Sequence, residues 1–400
     1  MKRRAITCLA ALLAVCSCED VDFGNRGLTS TVSETPKTVV DTLEGILMSA
    51  VIYPDGYDWT KDEGLGDGEC TIAMMTEDSV LFSHPIGEEY ESSGDSDMHR
   101  ILGNCLYEDW SSEEEKIVKK NGEEVFRVEG REMISDMVLR DGSLYTLGAP
   151  RSKGGYVLRK DGKVLSQSPD VLPVGGFYTD SGDLCFTGVS KENGRNSWSI
   201  VREGRPTAVA HPSDEADITA IKAVQGKTVM ILQAGDYLFQ TEDKDLYVIN
   251  IDFTRDFRPI EIMDDGEKWL ADCCEYEADS VANYQVWNKG NLLFSYKGNF
   301  EKASWTMEDG ILYVLGHDRA RDVWILLRDG GVATLPEGYR PHSSHAMLLR
   351  EGSLTLSLVD SENKAALWKD GIVKSLGFNG YVDHITYGKF TSTRYVTGRH

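Results

Sequence analysis

Short stretches of alternating apolar and polar residues, most of them closed by an acidic residue and a glycine, recur along the chain from about residue 40 to residue 390. The clearest closures are Asn121-Gly122, Asp161-Gly162, Glu203-Gly204, Lys289-Gly290, Asp329-Gly330 and Asp370-Gly371, with successive glycines 40, 42, 86, 40 and 41 residues apart. The interval of 86 is two periods of 43, so one turn has lost its glycine, and the stretch Thr254-Arg255-Asp256 is its expected place. Glu77-Asp78 marks an earlier turn. A second series, out of phase with the first, runs Gly142, Gly182, Gly226, Gly266, Gly310 and Gly352 at spacings of 40, 44, 40, 44 and 42. Two independent markers thus share one period. Runs such as Leu144-Tyr145-Thr146-Leu147 and Leu312-Tyr313-Val314-Leu315 follow the second series. Between turns of this kind they read as hairpin strands, because Asp, Asn and Gly tolerate the positive φ of a tight two-residue turn.

The unit 133–168 parses into four strands, 134–140, 144–147, 156–159 and 164–166. A self-similar period of roughly 40 to 45 residues carrying four strands is the signature of a β-propeller blade. Helical repeats are disfavoured by 11 prolines and 39 glycines, many of them on the repeat itself. Later-pair turns near 78, 121, 161, 203, 254, 289, 329 and 370 predict an all-β chain of eight four-stranded blades, with seven as the alternative. Two pairs compete to complete the blade containing 71–82: 39–43 with 46–50 around Gly45, and 382–387 with 394–397. Closure by the C-terminal pair would remove exposed edge strands and tie down both ends.

The N-terminus speaks to location. Lys2-Arg3-Arg4, an apolar stretch over 5–15 and Val15-Cys16-Ser17-Cys18 form a basic, hydrophobic and small-residue series, a secretory signal too short to span a membrane. It resembles a bacterial lipoprotein lipobox, which implies cleavage after Ser17 and lipidation of Cys18, with Cys16 the runner-up. Glu19-Asp20 and Asp22 resemble the acidic export tag of surface lipoproteins, against the plainer reading of a polar tether. The expected division is a signal peptide at 1–17, a lipidated cysteine and flexible tether at 18–36, and the propeller at 37–400. The membrane would be met through the N-terminal lipid alone.

Net charge is −23, and removing residues 1–17, with three basic and no acidic residues, makes it −26. That balance argues against nucleic acid and against direct contact with anionic head groups. Residues 61–115 hold sixteen Asp or Glu against Lys61 and Arg100. Glu88-Glu89 and Glu113-Glu114-Glu115 read as solvated loop faces. The acidic loop 62–69 offers hard oxygen ligands, so Ca²⁺ is a candidate ion, yet no complete calcium-loop motif closes it. No other cofactor is expected. Beyond Cys18 the cysteines are Cys70, Cys105, Cys185, Cys273 and Cys274, without CxxC spacing. They read as small buried hydrophobes, with a Cys70–Cys105 disulfide as the alternative.

Sialidase-type boxes, regular Trp-Asp blade endings, kelch Gly-Gly pairs, a Gly-x-Ser-x-Gly elbow, a His-Glu-x-x-His helix and a phosphate loop are not legible. Three groups of residues remain. His342 and His345 in the eighth blade, His384 in the closing blade and His99 in the second fall on or near first strands, which line a propeller's channel, and are candidate metal ligands. Separate, locally hydrogen-bonded histidines are the plainer alternative. Tyr156, Trp198, Trp287, Trp324 and Trp368 fall on third strands and are expected to pack between blades. The long insert after residue 52 carries Tyr53, Tyr57 and Trp59 beside Asp62 and Glu63, a candidate ligand-binding loop whose alternative is an ordinary acidic loop.

The lipobox and the degenerate Trp/Tyr-x-x-Asp-Gly repeats over about 37–400 resemble those of envelope lipoproteins of Bacteroidetes-like bacteria. In architecture alone the chain also resembles the eight-bladed lipoprotein of the outer-membrane barrel-assembly machinery. The resemblance implies the fold and an outer-membrane, lipid-anchored location facing outwards, and no catalytic residues carry over. The expected function is non-catalytic recognition of a glycan or protein at the cell surface. A propeller-based carbohydrate hydrolase or lyase and an outer-membrane assembly scaffold are the alternatives.

Overall fold

The structure, a computed structural model, describes residues 37–61, 70–85, 99–111, 115–130, 132–150, 154–192, 194–210, 216–235, 237–249, 256–277, 280–343 and 347–396. Cys18 and its flanks, Asp62, Glu63, the acidic loop 62–69, Glu88, Glu89, Glu113, Glu114 and His345 lie outside the described residues. Residues 42–390 form one compact unit, and residues 1–41 with 391–400 form a second, of which only the ends of two strands are described.

No helix occurs among the described residues, and their strands fall into six four-stranded antiparallel sheets and one of seven strands. The period read from the sequence is the blade. In blade 3 the strands are Glu132–Arg140, Ser143–Pro150, Tyr156–Lys160 and Lys163–Ser168, paired in chain order. Blade 2 is His99–Leu102, Cys105–Ser111, Glu115–Lys120 and Glu123–Glu129, and blades 4 to 7 repeat the plan from Leu172 to Thr334.

The seven-stranded sheet contains two blades that share a strand. Its order places Met347–Arg350, Ser353–Val359 and Lys364–Lys369 on one side of the 25-residue strand Ile372–Val396, and Lys37–Ile52, Thr71–Met75 and Val80–Pro85 on the other. The early part of the long strand is the outer strand of blade 8, and its later part is the inner strand of blade 1. This yields eight blades and corrects the expected closure. Neither end supplies a hairpin; each supplies one continuous strand. Gly45, read as a turn, lacks the positive φ of one, and a Cβ there would stand 3.4 Å from the Phe390 ring, so it marks a close approach between the two closing strands.

Both glycine series occupy the turns assigned to them. The second-series turns join first to second strands and the first-series turns join third to fourth strands, nearly all with positive φ at the glycine and at the residue before it. The missing fifth turn is Asp243-Lys244, between Tyr237–Glu242 and Asp245–Ile249, and not 254–256. Asp256 instead begins the first strand of blade 6, and residues 254 and 255 lie outside the described set. Asp243 adopts φ 53° without help from a following glycine, so the marker residue could be lost while the turn was kept.

The polar residues that lead these turns have a second task. Asn121 Oδ1 accepts from Leu106 N–H at 2.9 Å, Asp161 Oδ1 from Leu144 at 2.9 Å, Glu203 Oε1 from Leu184 at 2.9 Å, Asp243 Oδ1 from Thr228 at 2.9 Å and Asp370 Oδ1 from Leu354 at 3.1 Å. Each of these turn residues also donates its backbone N–H to the carbonyl of the same partner. The turn between the third and fourth strands therefore clips the start of the second. Other acceptors reach the next blade's turn glycine: Gly226 N–H donates to Asp180 at 2.6 Å, Gly310 to Asp265 at 2.6 Å and Gly352 to Glu308 at 3.2 Å. Part of the chain's acidity is thus consumed in holding backbone donors.

Buried apolar clusters join every neighbouring pair of blades. Leu47, Ile72, Leu106 and Trp110 join blades 1 and 2, and Val118, Ile134 and Leu144 join blades 2 and 3. Tyr156 and Phe186 join 3 to 4, and Trp198 and Ile221 join 4 to 5. Val229 with Trp269 and Leu238 with Trp287 join 5 to 6. Tyr284 with Phe300, Tyr313 with Leu356, and Leu367 with Val382 complete the circuit through 6–7, 7–8 and 8–1. Eight seams for eight blades make a closed ring. The third-strand aromatics Tyr156, Trp198, Trp287, Trp324 and Trp368 all belong to or pack against these clusters, as expected. Cys70, Cys185, Cys273 and Cys274 are buried free thiols and Cys105 is a half-buried one, so no Cys70–Cys105 disulfide forms.

Candidate aromatic face

In an antiparallel four-stranded blade the first and third hairpin turns lie on one face of the ring, and the links between second and third strands and between successive blades lie on the other. The insert after Ile52 is such a second-to-third link of blade 1. It shares its face with the link from blade 7 to blade 8, which carries Arg340 and His342, and with the second-to-third link of blade 8, which carries Asn363. The long strand passes from blade 8 to blade 1 at Asn379 and Tyr381, beside the same links.

Hydrogen bonds pin the insert onto these neighbours. Tyr53 N–H donates to the Asn379 carbonyl at 2.9 Å, and Asn379 Nδ2 donates to the carbonyls of Pro54 at 2.6 Å and Tyr57 at 2.8 Å. Trp59 Nε1 donates to the Asn363 carbonyl at 3.1 Å, and Asn363 Nδ2 donates to Asp58 Oδ1 at 3.0 Å. Lys61 pairs with Asp58 at 2.8 Å, and together with the Thr60 hydroxyl it holds the Asp58 carboxyl down to about 2.

The rings then gather. Tyr53 stacks on Tyr57 at 5.6 Å and on Trp59 at 5.9 Å, with 11° between the planes of the second pair. Trp59 meets Tyr381 at 5.2 Å and the edge of His342 at 5.0 Å, His342 lies 3.9 Å from Tyr381, and the Arg340 guanidinium stands 5.7 Å over Trp59. Tyr53, Tyr57, Trp59, Tyr381 and Arg340 are half-buried, and His342 is exposed. Burial pushes the Tyr53 phenol up to about 12 and Tyr381 higher still. Packing of the His342 ring lowers its pKa, with Arg340 acting in the same direction and Asp383 against it. At neutral pH this face therefore presents uncharged phenols and imidazole, able to donate and accept hydrogen bonds, beside one guanidinium.

Tyr53, Tyr57 and Trp59 are thus brought together. The insert's Tyr381, Arg340, Asn363 and Asn379 partners come from more than 280 residues away, and none of the four was singled out from the sequence. The histidines are not gathered in the same way. His99 is buried edge-on to Trp110 at 5.8 Å, and His384 Nδ1 accepts from Ile101 N–H at 3.4 Å, whereas His342 belongs to the aromatic face. Among the described residues no three His, Cys, Asp or Glu side chains form a group that could hold a metal ion.

The chain matches no protein-family profile and no curated protein sequence. Among solved structures it is similar to a β-propeller domain from Myceliophteria thermophila, at 11% identity and TM-score 0.41 over 68% of this chain and 95% of that one. It is also similar to a dihydro-heme d1 dehydrogenase, at 10% identity and TM-score 0.46 over 86% of this chain and 74% of that one. A prolyl endopeptidase matches at 8% identity and TM-score 0.41 over 75% of this chain, which spans about half (50%) of the endopeptidase's length. Likenesses this distant carry no functional argument, and the propeller assignment rests on the strand order and the closed circuit of seams.

Proposed function

We propose that the ring is a non-catalytic recognition module that binds a glycan or a protein through its aromatic face and is presented at the cell surface by a lipid on Cys18. The observation that carries the binding reading is the pinned cluster of Tyr53, Tyr57, Trp59, Tyr381 and His342: half-exposed rings, held by backbone hydrogen bonds, on the linker face of a rigid scaffold. Aromatics fixed in this way lose little conformational freedom on binding, and their amphipathic rings suit both sugar C–H faces and protein hot spots. The lipid reading rests on the sequence before and around Cys18.

The test is a glycan array and a protein pull-down with the soluble fragment 19–400, beside a hydrolase and lyase screen. Trp59→Ala is expected to weaken binding roughly thirtyfold, the ~2 kcal/mol of a hot-spot aromatic, while leaving the far-UV spectrum intact. Turnover of any polysaccharide overturns the non-catalytic reading, and binding unchanged in Trp59→Ala overturns the assignment of the face. Loss of palmitate labelling in Cys18→Ala is the expected result for the anchor.

A further inference from the structure

The seam between blades 1 and 2 holds a titratable pair far removed in role from the aromatic face. His84, in the outer strand Val80–Pro85 of blade 1, reaches across to Glu108 in the second strand of blade 2. Its Nε2 lies 2.9 Å from Oε1 and 3.0 Å from Oε2, and its Nδ1 lies 3.0 Å from the Pro85 carbonyl oxygen. A carboxylate and a carbonyl can only accept, so both ring nitrogens must carry protons and the geometry is that of an imidazolium. The Glu108 side chain is 0% exposed and also accepts from Trp110 Nε1 at 3.0 Å.

Neutral imidazole cannot satisfy this arrangement. It donates from one nitrogen only, leaving either a fully buried carboxylate without its cation or a lone pair facing the Pro85 carbonyl. We propose that His84 and Glu108 form a pH-operated latch on this seam, closed while the imidazole is protonated and released as it loses its proton.

The surroundings support this sense of operation. From its own strand, Phe82 packs on His84 at 5.7 Å; from blade 2, the turn at Gly122 closes over the ring, so near that a Cβ there would stand 3.6 Å from its Cδ2. Two further titratable groups border the pair through Trp110. Lys119 stands 5.4 Å over that indole and works against protonation, and His99 lies edge-on to it at 5.8 Å. The hydrogen bond to Glu108 is the largest influence on His84 and raises its pKa above 6.5, with burial opposing. A raised pKa in the folded state means that the latch's contribution is complete below 6.5 and is lost as pH rises through the higher folded value.

Two measurements on fragment 19–400 test the latch. An NMR titration of the His84 ring is expected to show a midpoint above 6.5 that falls by about one unit, tenfold in proton affinity, in Glu108→Gln. Hydrogen exchange of amides in 80–85 and 105–111, referenced to blade 5 amides in the same sample, is expected to lose roughly tenfold in relative protection, as pH rises from 6 to 9, for each unit by which the wild-type midpoint exceeds 6.5. His84→Gln should flatten that relative profile. A His84 midpoint at or below 6.5, a flat wild-type profile, or an unchanged pH dependence in His84→Gln overturns the proposal. The wild-type and His84→Gln arms decide it even if Glu108→Gln fails to fold.

Discussion

Asp161 gives the sharpest test of why the repeat ends in an acid. Its Oδ1 accepts from Leu144 N–H at 2.9 Å, and its backbone sits at φ 48°. Asp161→Ala removes the acceptor, worth about 1 kcal/mol at this exposed turn, and places a Cβ-bearing residue without local hydrogen bonding in the left-handed region, about 1 kcal/mol more. The expected loss is therefore about 2 kcal/mol. Asp161→Gly relieves the backbone and should lose about 1 kcal/mol. Asp161→Asn keeps both features and should stay within about 0.5 kcal/mol of wild type, since Asn121 does the same work in blade 2 with an amide. Asp329 supplies a control: it has φ 43° but, among the described residues, no such side-chain bond, so Asp329→Ala should lose only the backbone part. The assay is hydrogen exchange at Leu144 N–H, where each 1.4 kcal/mol of easier opening is a tenfold loss of protection, with urea midpoints as a global check. If Asn costs as much as Ala, the negative charge and not the clip is what matters, and the reasoning fails.

Two further predictions concern the interior. Lys302 Nζ lies 2.6 Å from Asp272 Oδ2, which also accepts from the Tyr284 hydroxyl at 2.8 Å, and burial raises the Asp272 pKa. Lys302→Met should cost roughly 3–5 kcal/mol by stranding a buried carboxylate, and part of that loss should return as pH falls and Asp272 takes up a proton. A cost below about 1 kcal/mol in thermal unfolding would show that the pair does not brace the seam. Burial pushes the thiols of Cys70 and Cys274 up to about 12 and Cys185 up to about 11, so a disulfide reagent at pH 8 should label them only on unfolding. Rapid stoichiometric labelling of the native ring at these three would refute that.

The period, the strand-turn phrase and the packing of third-strand aromatics were legible because each depends on residues close in sequence. Asp161 and Gly162 must satisfy one turn, whatever the rest of the ring does. The function of the acid was not legible, since the clip depends on which amide lies across the hairpin. The turn at Asp243 escaped because it kept its conformation while losing the glycine used to find it. The expected turn at 254–256 lies past the real one, which follows Glu203 by an ordinary 40 residues and precedes Lys289 by a long 46. Gly45 was misread for the opposite reason: glycine there makes room for Phe390. The aromatic face was half legible. Tyr53, Tyr57 and Trp59 lie within seven residues, but Arg340, Asn363, Asn379 and Tyr381 join them only because blades 8 and 1 are neighbours in the closed ring.

The shared strand Ile372–Val396 also sets an order of events. Its later half is the inner strand of blade 1, whose other strands, Lys37–Ile52, Thr71–Met75 and Val80–Pro85, leave the ribosome more than 280 residues earlier. Blades 2 to 7 can form from local hairpins as they emerge, while three strands of blade 1 wait beside an open edge. The ring then closes when the final strand docks against Lys37–Ile52, so a stop codon placed before residue 380 should leave an unsealed, sticky arc, not a slightly smaller ring.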